Sequence, residues 1–182
     1  VYDCCILEWE LKEMSFSQEW ERIHSERDWG KYPNEHLVAF TMKTFSSKKE
    51  RSKISVLDLG FGGGGNLKFF CEQGFNVAGV EGSISAHAKT RNFLSGLGYH
   101  PILYNADMTD LSMFPDMKFD LVTDIRSMSN MPITKLSRVV SEIYRILVPG
   151  GYFLTMLYGK GCMSYERGQQ VEPGTFSQVP DG

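Results

Sequence analysis

The chain has 182 residues and a formal net charge of −3, with 19 basic and 22 acidic residues. This length fits one domain with its own hydrophobic core. The charge balance excludes a global basic field for a nucleic-acid backbone, and no apolar run reaches the roughly 20 residues of a membrane span, so we expect neither partner. The 4 cysteines form no C-x-x-C pair, which favours reduced thiols, a cytoplasmic location and no metal site.

The two ends of the chain differ in character from its centre. Residues 1–13 precede Met14, which opens a polar segment typical of a natural start, so we expect a non-native leader there. Residues 159–182 are rich in Gly, Pro and polar side chains and have no hydrophobic period. We expect this stretch to be a loop that leads to a truncated C-terminus.

Residues 14–50 predict an N-terminal helical cap. Trp20, Ile23 and Arg27 fall on one face of a first helix, which a Trp-Gly-Lys-Tyr-Pro segment then ends. Asn34 is suited to cap a second helix, because its side-chain oxygen can accept hydrogen bonds from the first free backbone N–H groups.

A regular alternation of strands and helices follows over residues 51–158. The predicted strands cover 54–59, 77–80, 102–104, 119–124 and 152–157. Continuous apolar strands separated by helices predict a mainly parallel sheet with helices on both faces, which is an α/β, Rossmann-like fold. Ligands of such sheets bind at the carboxyl ends of the strands, near the topological switch point.

The first of these strands runs into a glycine-rich loop. Gly60, Gly62 and Gly65 satisfy G-x-G-x-x-G, a pattern that is weak evidence by itself. Asp58 lies just before the first glycine, at the mouth of the strand. A carboxylate there would repel a pyrophosphate and favour a ligand that carries an ammonium and a sulfonium group. The loop therefore predicts binding of S-adenosylmethionine rather than of a dinucleotide.

Acidic residues also follow the next three strands. Glu81, with Gly82 beside it, is predicted to accept both ribose hydroxyls, and as a cleft-facing residue it should have no structural role. Asp107 is predicted to accept the adenine amino group, with Met108 offering a backbone N–H and an apolar flank. Asp124 is predicted to line the methyl-transfer site or to hold the amino group of the ligand; its structural alternative is to cap the next turn.

Residues 54–158 resemble the class I S-adenosylmethionine-dependent methyltransferases. The matching motifs are Val-Leu-Asp-Leu-Gly-Phe-Gly-Gly-Gly at 56–64, Val-Glu-Gly-Ser at 80–83, Ala-Asp-Met at 106–108, Phe-Asp-Leu-Val-Thr-Asp at 119–124 and Ile-Leu-Val-Pro-Gly-Gly at 146–151. The resemblance implies the methyltransferase fold, S-adenosylmethionine as cofactor, and methyl transfer to an oxygen, nitrogen or carbon nucleophile.

Further details of the resemblance bear on the acceptor. The front segment at 20–35 resembles a bacterial subgroup that acts on small metabolites or sugar-like molecules, which implies a small-molecule substrate. Phe61 stands where the family often has Cys or a small residue, a change that we expect the fold to tolerate. The last two strands of the family are absent, so part of the sheet and of the substrate wall is expected to be missing.

Several alternatives remain open at the level of sequence. The glycine pattern also permits an NAD-dependent oxidoreductase, and the core permits a non-catalytic S-adenosylmethionine-binding scaffold. A methyltransferase that acts on protein or RNA would need a basic groove around Lys31, Arg126 and Lys160. No catalytic residue can be named, because the histidines qualify as a general base only by residue type. They are His24, His36, His87 and His100.

Overall fold

The computed structural model of this protein describes residues 18–159, 168–173 and 175–176. The predicted leader at 1–13, Met14 and Lys160 lie outside these residues. The described helices are α1 (Gln18–Glu26), α2 (Glu35–Thr44), α3 (Gly65–Glu72), α4 (Ile84–Gly96) and α5 (Ile133–Ile146), with short 3₁₀ helices at Lys48–Lys53 and Met128–Asn130. The strands are β1 (Ser55–Leu59), β2 (Asn76–Glu81), β3 (Ile102–Asn105), β4 (Phe119–Ile125), β5 (Leu147–Met156), β6 (Gln170–Glu172) and β7 (Thr175–Phe176).

The centre of the molecule is the predicted parallel sheet. Strands β1 to β5 pair in the order β3-β2-β1-β4-β5, and every pair is parallel. This confirms the Rossmann-like prediction. The chain order reverses between β1 and β4, so a crevice for a ligand is expected above the carboxyl ends of these two strands.

The sheet is covered on both faces, which explains its continuous apolar strands. On β1, Val56 and Leu57 point to opposite faces and are both fully buried. Leu57 belongs to a core that includes Ile143 of α5, and Val56 to a second core that includes Phe70 of α3 and Leu37 of α2. Burial on both faces explains why most side chains of this strand are apolar.

The N-terminal segment forms the expected two helices. The Asn34 side-chain oxygen accepts hydrogen bonds from the backbone N–H groups of His36 at 3.0 Å and Leu37 at 3.2 Å, so Asn34 caps α2 as predicted. The first helix ends at Glu26, one residue before Arg27.

The fifth strand differs from its prediction. The Pro-Gly-Gly turn at 149–151 lies inside β5, which begins at Leu147 rather than at Tyr152. Phe119 pairs with Leu147 while Leu121 pairs with Tyr152, so the residues between them bulge out of the ladder. Gly150 makes this possible, since its φ of +81° is readily adopted only by glycine.

The last described strands do not extend this sheet. β6 and β7 pair with each other as a separate antiparallel ribbon. Among the described strands, β5 pairs only with β4. None of the described helices is long and apolar enough to cross a membrane.

The structure also explains how the fold accommodates Phe61. The ring is 5% exposed and packs over Gly79 of β2. A Cβ atom on Gly79 would lie 2.6 Å from Cδ1 of Phe61 and 3.1 Å from a methyl group of Leu103. The missing side chain at residue 79 therefore provides the space for the large side chain at residue 61.

We expect Gly79→Ala to lower the free energy of unfolding by about 1–3 kcal/mol, the usual cost of overpacking a core. Phe61→Leu in the same chain should restore part of the loss, because it shortens the clashing side chain. Denaturant unfolding followed by circular dichroism measures both. Gly96→Ala is the matched control, since a Cβ atom there meets nothing within 4 Å. Equal effects of the two glycine substitutions would contradict this packing relation.

Candidate active site

A cavity of about 440 Å³ lies at the carboxyl ends of the strands. Its size is within the range of small-molecule sites. Part of its wall is the glycine loop, Gly60 to Asn66, and part is formed by the residues that follow β2, β3 and β4. The remaining wall comes from residues 18–34, the part of the N-terminal segment that precedes α2. These residues include Trp20, His24 and Trp29.

The glycine loop requires its glycines at two positions in particular. Gly60 and Gly62 have φ values of +63° and +46°, in the left-handed region. A Cβ atom on Gly60 would also overlap the hydroxyl of Ser127, which donates to the carbonyl oxygens of Leu59 at 3.0 Å or of Gly60 at 3.2 Å. The backbone of the loop thus lines the cavity without side chains, and the Ser127 hydroxyl binds the start of the loop.

Glu81 lines the cavity next to Gly82 and has a structural role that was not expected. Glu81 is 5% exposed, and its carboxylate accepts hydrogen bonds from the backbone N–H groups of Gly62 at 2.8 Å and Ser83 at 2.9 Å. Burial raises the pKa of Glu81, and these backbone hydrogen bonds oppose that rise. Each carboxylate oxygen retains a further lone pair, so Glu81 can hold the loop and still accept from a ligand.

Asp107 and Met108 also line the cavity, below the end of β3. One carboxylate oxygen of Asp107 accepts from the backbone N–H and the hydroxyl of Thr109, both at 2.8 Å. These bonds form a small turn that fixes the side chain. Met108 packs at the edge of a core, and its methyl group lies near Gly60.

Asp58 does not line the cavity, which corrects the expectation that it faces the ligand. It is 1% exposed beneath the glycine loop, where Oδ1 accepts from the Thr123 hydroxyl at 2.7 Å and Oδ2 has no hydrogen-bond partner. Burial raises its pKa to about 7; the Thr123 hydroxyl opposes this rise and the Asp124 charge adds to it. The side chain points inward because it alternates with Leu57 and Leu59 along β1.

Asp124 is likewise absent from the cavity wall, and here the structural alternative is the correct one. The side chain is fully buried, and Oδ1 accepts from the backbone N–H groups of Ser127 at 3.0 Å and Met128 at 2.9 Å. Oδ2 accepts from the Thr155 hydroxyl at 2.8 Å. Burial raises the pKa of Asp124, and these hydrogen bonds oppose the rise. Asp124 therefore caps the turn that presents residues 125–131 to the cavity.

Aromatic side chains of the N-terminal segment cover the glycine loop. The His24 ring lies 5.9 Å from the Trp20 ring and 5.7 Å from the Trp29 ring, and its Cε1 would lie 3.6 Å from a Cβ atom on Gly62. Burial lowers the pKa of His24, so the imidazole is neutral near pH 7. The other three histidines do not line this cavity.

Polar contacts also join this segment to the glycine loop. The Asn34 backbone N–H donates to Oδ1 of Asn66 at 3.0 Å. The Lys31 ammonium donates to the carbonyl oxygen of Gly63 at 2.9 Å and lies over the Phe93 ring. Lys31 is thereby directed away from the cavity. Of the other residues predicted for a basic groove, Arg126 lines the cavity and Lys160 lies outside the described residues.

Other supporting residues were missed by the sequence reasoning. Glu21 of α1 accepts from the hydroxyls of Ser83 and Ser85, both at 2.6 Å, and so fixes the first turn of α4. Thr90 donates to the carbonyl oxygen of Gly62 at 2.6 Å. These contacts join residues 28 to 64 positions apart, and no local sequence signal announces them. Ser127 had a weak signal, since it lies three residues after Asp124 at a strand end.

The fold and the cavity define an α/β protein with a glycine-lined small-molecule site at the switch point of its sheet. Residues 56–151 match a family model described as a methyltransferase domain, and the chain belongs to this family. The family uses S-adenosylmethionine as its cofactor. The glycine cradle and the acids at the ends of β2 and β3 fit a cationic ligand without phosphate.

Three known proteins illustrate the relationship. The chain is 30% identical over 123 residues to a sterol 24-C-methyltransferase of Yarrowia lipolytica, covering 66% of this chain and 30% of the relative. It is 32% identical over 108 residues to phosphoethanolamine N-methyltransferase 2 of Caenorhabditis elegans, covering 59% and 24%. The structure of an S-adenosylmethionine-dependent methyltransferase from Mesorhizobium loti matches with a TM-score of 0.50 and 25% identity, covering 56% and 45%. The chain thus spans less than a third of either sequence relative.

The buried Asp58 predicts a specific dependence of stability on pH. Its pKa is about 7 in the folded chain and about 3.9 when unfolded, so the folded state holds the proton between these values. The contribution of this group to the free energy of unfolding is fully present below about pH 4. It is lost as the pH rises through about 7, and the loss amounts to roughly 2–4 kcal/mol. Asp58→Asn cannot ionise.

We therefore expect Asp58→Asn to gain stability relative to the parent chain as the pH rises from 4 to 8. Urea unfolding at several pH values measures the difference, which isolates Asp58 from other titrating groups. A difference that stays constant across this range would contradict the assignment of a raised pKa to Asp58.

Proposed function

We propose that this chain binds S-adenosylmethionine in the cavity and transfers its methyl group to a small-molecule acceptor. The residues proposed to hold the cofactor are the glycine loop at Gly60 and Gly62, Glu81 with Gly82, and Asp107 with Met108. One observation carries the proposal. Two acidic residues, Glu81 at the end of β2 and Asp107 just after the adjacent parallel strand β3, line one glycine-lined cavity.

Each of these residues has a distinct proposed contact. Glu81 would accept from the ribose hydroxyls, for which its remaining lone pairs are available. Asp107 would accept from the adenine amino group, and Met108 would flank the ring. Gly60 and Gly62 would allow the backbone to approach the cofactor closely. Asp58 and Asp124 would not contact the cofactor in this arrangement. Asp58 lies buried beneath the glycine loop, and Asp124 lies buried beneath the turn after β4.

The protein's part in the reaction is to align the reactants and exclude water. When bound, the cofactor supplies an activated, electrophilic methyl group. The Trp20–His24–Trp29 cluster forms part of the cavity wall above the glycine loop, where it would shield a bound cofactor from water. His24 is neutral near pH 7 and lines the cavity, so it is the histidine placed to accept a proton from an acceptor.

A small acceptor is supported by the size and cover of the cavity. The similar proteins include a sterol 24-C-methyltransferase and a phosphoethanolamine N-methyltransferase, which by name act on small molecules. The resemblance of the front segment favours a metabolite or sugar-like acceptor. We also propose a cytoplasmic location, which the free thiol of Cys71 favours.

We expect calorimetry to detect binding of S-adenosylhomocysteine, the demethylated cofactor, and not of NAD. Glu81→Ala should lower the affinity for S-adenosylhomocysteine by about 30- to 1000-fold, since hydrogen bonds to a charged acceptor are lost. It should also lower the melting temperature, because the Gly62 and Ser83 N–H groups lose their acceptor. Glu81→Gln should fall between, keeping one acceptor oxygen.

Glu72→Ala is the control, since Glu72 forms an exposed ion pair with Lys68 on α3, outside the cavity. It should change neither affinity nor melting temperature appreciably. Tight binding of NAD without S-adenosylhomocysteine would overturn the proposed cofactor. If Glu81→Ala lowers the melting temperature but keeps an affinity for S-adenosylhomocysteine within threefold of the parent chain, Glu81 has only a structural role. Cofactor binding without turnover across a broad panel of acceptors would indicate a scaffold.

A further inference from the structure

We propose that Arg126 binds an anionic group, a carboxylate or a phosphate, of the methyl acceptor. The inference rests on the proposed function, because it concerns the acceptor side of the same cavity. It adds a substrate class that the family relationship leaves open.

The backbone at Arg126 is held in an unusual conformation. Arg126 directly follows β4, and its φ of +71° lies in the left-handed region, which non-glycine residues seldom adopt. Its N–H donates to the carbonyl oxygen of Met156 at 2.9 Å, and its own carbonyl oxygen accepts from the Asn130 amide at 2.7 Å. Residues held in this way cluster at ligand sites, where neighbouring structure maintains an otherwise unfavourable geometry.

The side chain of Arg126 lines the cavity. Its guanidinium lies 5.4 Å from the centre of the Tyr158 ring, which also lines the cavity. The ring supports one face of the guanidinium and leaves its N–H edge available. Tyr158 is itself tied down, because its backbone N–H donates to the Ser129 hydroxyl at 3.0 Å.

Arg126 lacks an acidic partner, in contrast to Arg22 and Arg145. Arg22 pairs with Glu19 and Glu26, and Arg145 pairs with Asp116 and Glu142. Within the part of the chain that the structure describes, no ion pair involves Arg126. Its fork of N–H donors is suited to bidentate recognition of a carboxylate or phosphate.

The distribution of charge across the cavity indicates where this anion comes from. Glu81 and Asp107 follow β2 and β3, on one side of β1, whereas Arg126 and Tyr158 follow β4 and β5, on the other. The acids are placed for the cationic cofactor. The guanidinium of Arg126, without an anion beside it, would repel the cationic cofactor. An anionic acceptor placed between the guanidinium and the cofactor would be attracted by both of these cations.

The test uses the chain saturated with S-adenosylhomocysteine and three probes of one ring size: benzoate, phenyl phosphate and the neutral benzyl alcohol. Ligand-observed NMR titration measures their affinities. We expect at least one of the two anions to bind more tightly than benzyl alcohol. Arg126→Gln should lower the affinity for that anion by about 10- to 100-fold. Arg126→Lys should lower it by less, since lysine keeps the charge but lacks the forked N–H donors of arginine. The preferred anion distinguishes a carboxylate acceptor from a phosphate acceptor.

Arg91→Gln is the matched control, because Arg91 is exposed on α4 and outside the cavity. The proposal is overturned if neither anion binds better than benzyl alcohol, or if Arg91→Gln weakens the anion as much as Arg126→Gln does. It is also overturned if Arg126→Gln weakens S-adenosylhomocysteine by more than threefold and leaves the anion unaffected, since Arg126 would then serve the cofactor carboxylate. Absence of S-adenosylhomocysteine binding to the parent chain would refute the proposed function itself.

Discussion

The Glu81 carboxylate is the group on which the rest of the site depends. By accepting from the N–H groups of Gly62 and Ser83, it joins the loop after β1 to the turn after β2. A glycine loop has little conformational preference of its own, so such a tie is needed to give it one shape. The two hydrogen bonds are almost fully buried, so water does not compete with them. The same carboxylate faces the cavity, so one residue both shapes the loop and contributes to the ligand-binding surface.

The N-terminal segment holds the glycine loop from the outside. Asn34 contacts Asn66, Lys31 donates to the Gly63 carbonyl oxygen, and Thr90 of α4 donates to that of Gly62. The bonds from Lys31 and Thr90 satisfy carbonyl groups of the glycine loop, and the Asn66 side chain accepts from the Asn34 backbone N–H. They also set the position of the aromatic cluster above the cavity. The cover of the cavity and the shape of its floor are therefore coupled, which suits a reaction that requires exclusion of water.

The four acids at the strand ends divide into two pairs with different roles. Glu81 and Asp107 line the cavity, whereas Asp58 and Asp124 are buried behind it. Asp124 has its oxygens satisfied by the turn after β4, while one oxygen of Asp58 has no partner. Burial away from water disfavours the anion of Asp58, which explains its raised pKa. The two acids that line the cavity thus lie on its β2–β3 side, opposite Arg126.

The sequence alone determined the parallel sheet, the position of the glycine loop and the residues at the strand ends, since these depend on local periodicity and on spacing along the chain. The cap at Asn34 was also readable, because its hydrogen bonds reach only two and three residues ahead. Which way each acid points was decided by tertiary structure. Asp58 turns inward because its strand is buried on both faces, and Asp124 because the following turn offers it two N–H groups. The contacts of Glu21 and Arg126 depend on distant elements meeting in space, and no local pattern encodes them.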